Sequence, residues 1–370
     1  MREEATEPAM SMSCAIVRSV AKVESALSAG EATSSTKLGP LVGFSRCVLE
    51  GFWVVLRAPE LCVIMNSPSA TETAATWRDY FEMCKPRVVL LMLLCAVVGM
   101  FLAAEGMVPW QVLLYGTIGI ALVAGSSAAL NHLIDAQIDA RMARTRDRPM
   151  AQGRVSMTQG ATFVAVTGIS GLSILAWLVN PLTAWLNLAS WAGYGLFYTL
   201  YLKRATAQNI VIGGIFGAAP PLFGWTAVTG EIELGGVILV LIIFAWTPPH
   251  FWALAIERVE EYRDIDMPML PVTRGIDHTK LQIFIYTLIT IALTLVPFFI
   301  GMNGLLYLVA ALGLGAGFLY WCAQLFAGKN ERAPMDTFRY SIFYLSVLFG
   351  VMLIDRFLFS AGTELAAALL

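Results

Sequence analysis

From residue 88 onward the chain is a succession of apolar runs, several of them about 18 residues or longer, divided by short breaks that carry Gly, Pro, Asn or charge. A run of that length spans the hydrocarbon core of a bilayer as a helix. Repetition of such runs predicts a polytopic membrane protein rather than the two soluble domains that 370 residues would otherwise suit. Nine spans are predicted, at about 88–104, 110–131, 160–179, 182–201, 209–228, 235–256, 281–300, 304–326 and 341–360. The fold class that follows is an all-α bundle of nine transmembrane helices around a central apolar cavity that opens to the cytoplasmic side.

The basic residues orient the bundle. Arg78, Lys85 and Arg87 precede the first span. Arg141, Arg144, Arg146, Arg148 and Arg154 lie between the second and third, and Lys203 and Arg204 follow the fourth. Arg258, Arg263, Arg274 and Lys280 lie between six and seven, and Lys329, Arg332 and Arg339 between eight and nine. The alternate connections, EGMVP, VNPL, TGEIEL and GMNG, hold neither Lys nor Arg. The positive-inside rule then places the N-terminus in the cytoplasm and the C-terminus outside, in a cell inner (plasma) membrane. Arg356, beside Asp355 near the far end of span nine, is the exception.

Residues 1–77 lack a long apolar span and are expected to form a weakly ordered extension, with Met65 an alternative initiator. Residues 78–362 form the nine-helix domain and 363–370 a tail. The six cysteines, Cys14, Cys47, Cys62, Cys84, Cys95 and Cys322, form no CxxC pair and are read as unbridged thiols. A net charge of -2 gives no field that would gather nucleic acid, and no Walker A, EF-hand or HExxH pattern occurs.

Against 14% charged residues overall, the stretch NHLIDAQIDARMARTRDRP (131–149) is unusually polar. Asn131, Asp135 and Asp139 recur at i, i+4, i+8, which on a helix puts three oxygen-bearing side chains in a row about 12 Å long. Such a row suits Mg²⁺, which takes one or two carboxylates, keeps waters and completes its shell with substrate phosphate oxygens. A polar helix end in the headgroups is the plainer alternative, but acids at a helix C-terminus oppose the macrodipole, and interfacial acids facing a bundle are functional by default.

A second acidic cluster closes span six: Glu257 and Glu261, with Glu260 and Asp264 nearby. The span count puts it on the same side as the first. Two acidic helix ends facing each other repel unless cations lie between them, so two Mg²⁺ ions are expected. Arg144, Arg148, Lys203 and Arg204 are the basic residues placed to clamp the oxygens of a diphosphate. For Arg154, Arg274, Lys329 and Arg332 the positive-inside rule is explanation enough.

These residues resemble the first signature of the intramembrane UbiA-type prenyltransferases. DYFEMCKPRVVLLMLL (79–94), LKRATAQNIVIGGIFGAAPPLFGWTAVTG (202–230), TPPHFWALAI (247–256) and PMLPVTRG (268–275) resemble the haem-farnesylating branch of that family, the haem O synthases, over about residues 78–360. The resemblance implies that farnesyl diphosphate binds through Mg²⁺ held by Asn131, Asp135, Asp139, Glu257 and Glu261. It implies ionisation with Asp135, Asp139, Arg144 and Lys203 as the catalytic set, then attack by a vinyl group of haem b and quenching by water to give haem O. Related prenyltransferases often place Asp where this chain has Glu257 and Glu261. Of the three histidines, His250 and His132 are the candidate haem ligands and His278 a loop residue. The pathway logic of the resemblance makes a haem A synthase or a terminal oxidase the recipient of the product, and the bilayer is the remaining partner.

Two glycine patterns, GGIFG (213–217) and GLGAG (313–317), are read as helix-packing sites. Two other readings stay open: a UbiA-type enzyme acting on a quinone precursor or chlorophyll-type acceptor, and an ion-coupled transporter, since intramembrane carboxylates also mark ion paths. Transport sites usually sit near the midplane, whereas both clusters here sit at one face.

Overall fold

The computed structural model describes residues 75–369 apart from 143, 144 and 329, with the side chains beyond 358 also left aside. The expectations for the N-terminal extension, for Met65, and for Cys14, Cys47 and Cys62 therefore fall outside the described residues, as does Arg144. Cys84, Cys95 and Cys322 are free thiols.

Every regular element among the described residues is helical. A short helix α1 (Trp77–Met83) leads into α2 (Pro86–Ala103), α3 (Trp110–Asp139) and α4 (Met157–Leu178). Helix α5 (Pro181–Ala192) runs without a break into a π-helical segment, π1 (Gly193–Leu202), and a closing turn Lys203–Ala205. Next come α6 (Asn209–Ala218), α7 (Pro220–Thr229) and α8 (Leu234–Glu257), the short helices α9 (Val259–Arg263) and α10 (Leu270–Thr273), then α11 (Ile276–Phe299), α12 (Leu305–Ala327) and α13 (Ala333–Leu369).

Among the described residues, eight stretches are long and apolar enough to cross a membrane, with α6 and α7 acting together across Pro220. The remaining sequence span, 182–201, is also helical but changes winding. Twelve residues of α-helix continue as 10 of π-helix, and within that segment the Thr199 hydroxyl donates to the carbonyl of Tyr194, five residues back, at 2.8 Å. π-Segments of this kind recur at functional sites.

Small residues let the site-bearing helices meet. A Cβ on Gly224 of α7 would lie 1.8 Å from the Ala96 carbonyl oxygen of α2, and one on Gly99 of α2 2.2 Å from that of Pro221. The predicted glycine motifs divide. Gly213 meets the Tyr198 ring and Gly317 the Tyr340 hydroxyl, whereas Gly217 and Gly313 face open space. In each motif one terminal glycine is a close-approach position and the other is not.

The connections that lack basic residues are tied to one another. Asn180 accepts from Thr183 N–H at the start of α5 and donates to Thr226 O near the end of α7. Asp355, 3% exposed, takes the backbone N–H groups of Gly304 and Tyr307 at the start of α12 and the Asn303 amide. A carboxylate there satisfies orphan donors and complements the helix dipole. Arg356 donates to Ala104 O at the end of α2. The one arginine out of step with the charge rule is thus held by a helix C-terminus.

Candidate active site

Helix α3 carries Asn131, Asp135 and Asp139 on one continuous element, as their spacing predicts, and all three are buried. Buried carboxylates are unfavourable unless answered by charge or hydrogen bonds. Here each residue is answered by a basic side chain from a different segment. Lys85 Nζ donates to Asn131 Oδ1 at 2.6 Å, Lys203 Nζ to Asp135 Oδ2 at 2.7 Å, and Arg148 Nη1 to Asp139 Oδ2 at 2.6 Å. Asn131 also donates its amide to Asp135 Oδ2 at 2.9 Å and faces the Thr199 hydroxyl at 3.4 Å.

Local structure delivers each of these partners. Lys85 lies in the turn between α1 and α2 and caps the N-terminus of α2, whose first residue is Pro86. Proline disfavours the right-handed helical region for the residue before it, and Lys85 takes the left-handed one, φ 50°. Burial, with the charges of Arg148 and Lys203, pushes its ammonium pKa down to about 7 against the opposing pull of Asp135 and Asp139. Lys203 follows the π segment directly. Arg148 lies in the loop after α3, where Thr145 donates to Asp139 O and fixes the turn.

Lys85 and Thr199 were missed from the sequence. Lys85 stood among the charges that orient the chain, and its place before Pro86 was the available signal. Nothing in the spacing of span four announces the role of Thr199, since its side chain meets Asn131 only through tertiary contact. Arg154, attributed to the charge rule alone, pairs with Asp79, whose carboxyl closes a capping box with Thr76. That pairing ties α1 to the loop after α3. Ser126 has a packing role: it donates to Val164 O and accepts from the Trp191 indole.

The residues fit a hard cation at one point. Asp135 Oδ1 is buried and has no hydrogen-bond partner, a vacancy that buried acceptors rarely leave. In the second cluster, Glu261 Oε2 is likewise buried and unpartnered, while Oε1 accepts from Arg258 at 3.4 Å. The i, i+4 spacing of Glu257 and Glu261 does not give a shared helical face. Helix α8 ends at Glu257, Arg258 leaves helical geometry (φ -115°, ψ 27°), and α9 restarts at Val259. Glu257 is exposed, and Glu260 pairs with Arg263. Among the described residues, no three His, Cys, Asp or Glu side chains converge closely enough to hold a metal by themselves. Arg204 is exposed on the closing turn beside Lys203.

The histidines differ sharply. His250 lies between the rings of Trp246 and Phe338, with centroids at 4.3 and 4.5 Å, and its Nδ1 is 2.7 Å from Ser341 Oγ. His132 is 2% exposed, and neither of its ring nitrogens has a partner. It lines a cavity of ≈ 530 Å³ together with Lys85 and Arg148. Of the tryptophans, Trp225 donates to Glu233 and Trp246 to Ser341 O, whereas the buried Trp252 indole N–H has no partner.

The UbiA prenyltransferase family profile matches residues 92–348. A protoheme IX farnesyltransferase from Hahella chejuensis is 55% identical over 294 residues, which is 80% of this chain and 98% of that protein. A protoheme IX farnesyltransferase 1 from Pseudomonas fluorescens is 57% identical over 284 residues, 77% of this chain and 95% of that one. Among solved structures, a digeranylgeranylglyceryl phosphate synthase shares the fold with a TM-score of 0.65 at 16% identity, covering 75% of this chain and 98% of that one. A UbiA homologue from Archaeoglobus fulgidus, bound to GPP and Mg²⁺, gives 0.57 at 16% identity, over 74% of this chain and 99% of that one. The chain, an integral membrane protein with a row of buried acids answered by lysine and arginine, belongs to the UbiA prenyltransferase family.

Proposed function

We propose that the chain transfers the farnesyl group of farnesyl diphosphate to a vinyl group of haem b, giving haem O and diphosphate, in a Mg²⁺-dependent reaction. The observation that carries this is the one-to-one pairing of Lys85, Lys203 and Arg148 with Asn131, Asp135 and Asp139. A site so arranged sets three basic side chains against two carboxylates and one neutral amide, and is ready to exchange partners with a polyanion. When a diphosphate arrives with its cations, the basic side chains turn to phosphate oxygens and the freed oxygens of α3 turn to metal. Similarity to relatives named for haem farnesylation supports the choice of acceptor.

Asn131, Asp135 and Asp139 would hold Mg²⁺ from α3, with Glu261 and, past the helix break, Glu257 contributing from the second cluster; two ions are proposed. The metal, when bound, neutralises charge on the departing diphosphate. Lys203, Lys85, Arg148 and Arg144 bind diphosphate oxygens, with Arg204 at the rim, and stabilise the negative charge that grows as the allylic C–O bond breaks. The apolar walls exclude water while the vinyl carbon attacks the farnesyl C1. Water then adds to the cation left beside the macrocycle and loses a proton, which leaves a hydroxyethylfarnesyl group. The protein is oriented with its N-terminus and both acidic clusters on the cytoplasmic side of the inner membrane and its C-terminus outside. Product passes to a haem A synthase or a terminal oxidase.

The test is the purified protein with haem b, farnesyl diphosphate and Mg²⁺, read by product mass. A hydroxyethylfarnesyl haem that disappears with EDTA is expected. Prenylation of a quinone precursor with haem b untouched would replace the acceptor. Uptake of an ion without diphosphate release would replace the chemistry altogether.

A further inference from the structure

The polar row of α3 accounts for Lys85, through Asn131, and for Arg148, through Asp139, but not for the other basic residues around the cavity. That space is bounded by α1, the α1–α2 turn and the end of α3, and Arg78 and Arg87 stand on its rim. Both are exposed, and neither forms an ion pair among the described residues; Arg78 lies 5.6 Å from the centre of the Trp77 ring. Glu82 is the one acid in the lining, and it too is exposed. Between the arginines the wall is apolar, from Phe81, Pro86 and Val88, of which Phe81 and Val88 are 57% and 56% exposed. At the inner end stands His132, buried and with both ring nitrogens free of partners.

In the proposed function the anionic head of farnesyl diphosphate is already answered by Lys203, Lys85 and Arg148, and its chain carries no charge, so two further cations flanking an apolar wall suit a second substrate. A flat apolar molecule with a pair of carboxylates at one edge uses both. We infer that this cavity receives the macrocycle of the acceptor, with Arg78 and Arg87 pairing its two propionate carboxylates at the level of the lipid headgroups and His132 offering an imidazole nitrogen to the iron. The inference rests on the proposal that haem b is the acceptor and adds how it is held. The propionates and vinyl groups of protohaem lie on opposite edges. Anchoring the carboxylates outside therefore turns the vinyl edge inward, toward Asn131, Asp135 and Asp139. Guanidinium is suited to this task because it pairs bidentately with carboxylate and stays charged beside apolar surface.

The test uses full-length protein in neutral-lipid nanodiscs, with haem b or its dimethyl ester as acceptor. For the wild type, the ester is expected to raise the acceptor KM about ten-fold or more, since two charge-assisted pairs are lost. Arg78→Gln with Arg87→Gln should raise the KM for haem b by a similar factor, leave that for farnesyl diphosphate within about two-fold, and abolish discrimination against the ester. His132→Ala should change the Soret band of the bound haem. Equal use of haem b and ester by the wild type, or a double variant that still discriminates, overturns the inference while leaving farnesyl transfer intact. So does a loss seen only in anionic-lipid nanodiscs, which would assign the arginines to phospholipid headgroups. A wild type that farnesylates neither acceptor instead removes the proposed function itself.

Discussion

Breaking the Asp135–Lys203 pair one side at a time, and then on both sides, separates what the pair does for the fold from what it does for the reaction. The two charges stand 2.7 Å apart, with side-chain exposures of 1% for Asp135 and 17% for Lys203. At an effective dielectric near 20, their gross attraction is about 6 kcal/mol. Desolvation offsets most of that, so the pair as a unit contributes little net stability. Removal of one partner strands the other, which for buried pairs destabilises by about 3–5 kcal/mol. Asp135→Asn leaves a lysine that retains some contact with water, which argues for the lower end, about 3 kcal/mol. Lys203→Met strands the more buried group and should be at least as severe. The double variant removes both charges and should recover about 2 kcal/mol relative to the sum of the single losses, the coupling expected for residues in direct contact. Activity should behave differently. Each side chain also engages substrate in the proposed reaction, so each single variant and the double variant should all lie about 10²-fold or more below the wild type in diphosphate release. The measurements are denaturant unfolding in mixed micelles and Mg²⁺-dependent diphosphate release with haem b. Recovery of activity in the double variant would show the pair to be structural only, and additive stability losses would show that the two charges are not coupled.

Three further outcomes follow from the geometry. Thr199→Val keeps the shape but removes the hydroxyl that holds Tyr194 O and faces Asn131; the Mg²⁺ concentration for half-maximal activity should rise several-fold, and Thr199→Ser should restore it, whereas equal loss in both variants would deny the hydroxyl that role. Gly224→Ala drives a methyl against the Ala96 carbonyl oxygen, which should lower stability by about 1–3 kcal/mol through overpacking; an unchanged Tm would show that α2 and α7 can separate freely. Asp79 has its carboxyl held below the usual carboxylate range by hydrogen bonds from Thr76 and by the Arg154 guanidinium. Its stabilising effect is therefore complete above the unfolded value of about 3.9 and lost as pH falls through the lower folded value. The Tm gap between wild type and Asp79→Asn should stay constant from pH 7 to 5, begin to shrink below about pH 4 and vanish once the pH is below the folded value, and a gap that does not shrink at all on acidification would contradict the assignment.

The positions of the long apolar helices and the placing of the motif on a continuous α3 were legible in the sequence. Hydropathy and charge act residue by residue, and a bilayer leaves few other ways to arrange such a chain. The row Asn131, Asp135, Asp139 was legible for the same reason, because helix geometry alone sets which of those side chains share a face. Span four was legible as a helix but not as a π segment, since α and π winding place the same apolar residues in a helix of similar length and hydropathy. The second cluster looked like a repeat of the first, yet α8 ends at Glu257 and the chain restarts on a new axis, so the two glutamates do not form a row.

Which basic side chain answers which member of the α3 row was decided by tertiary structure alone. Arg148 is nine residues from Asp139 in the chain, but Lys203 is 68 from Asp135 and Lys85 is 46 from Asn131. Such pairings depend on which helices pack together, and in a chain this apolar that choice is made by the close approach of small residues such as Gly99 and Gly224 rather than by charge. The sequence by itself determined an all-helical membrane protein of the UbiA prenyltransferase family. Only the folded bundle brought Lys85 to Asn131 and left Arg78, Arg87 and His132 around a common cavity, because contact between distant segments is a property of packing and has no period to read.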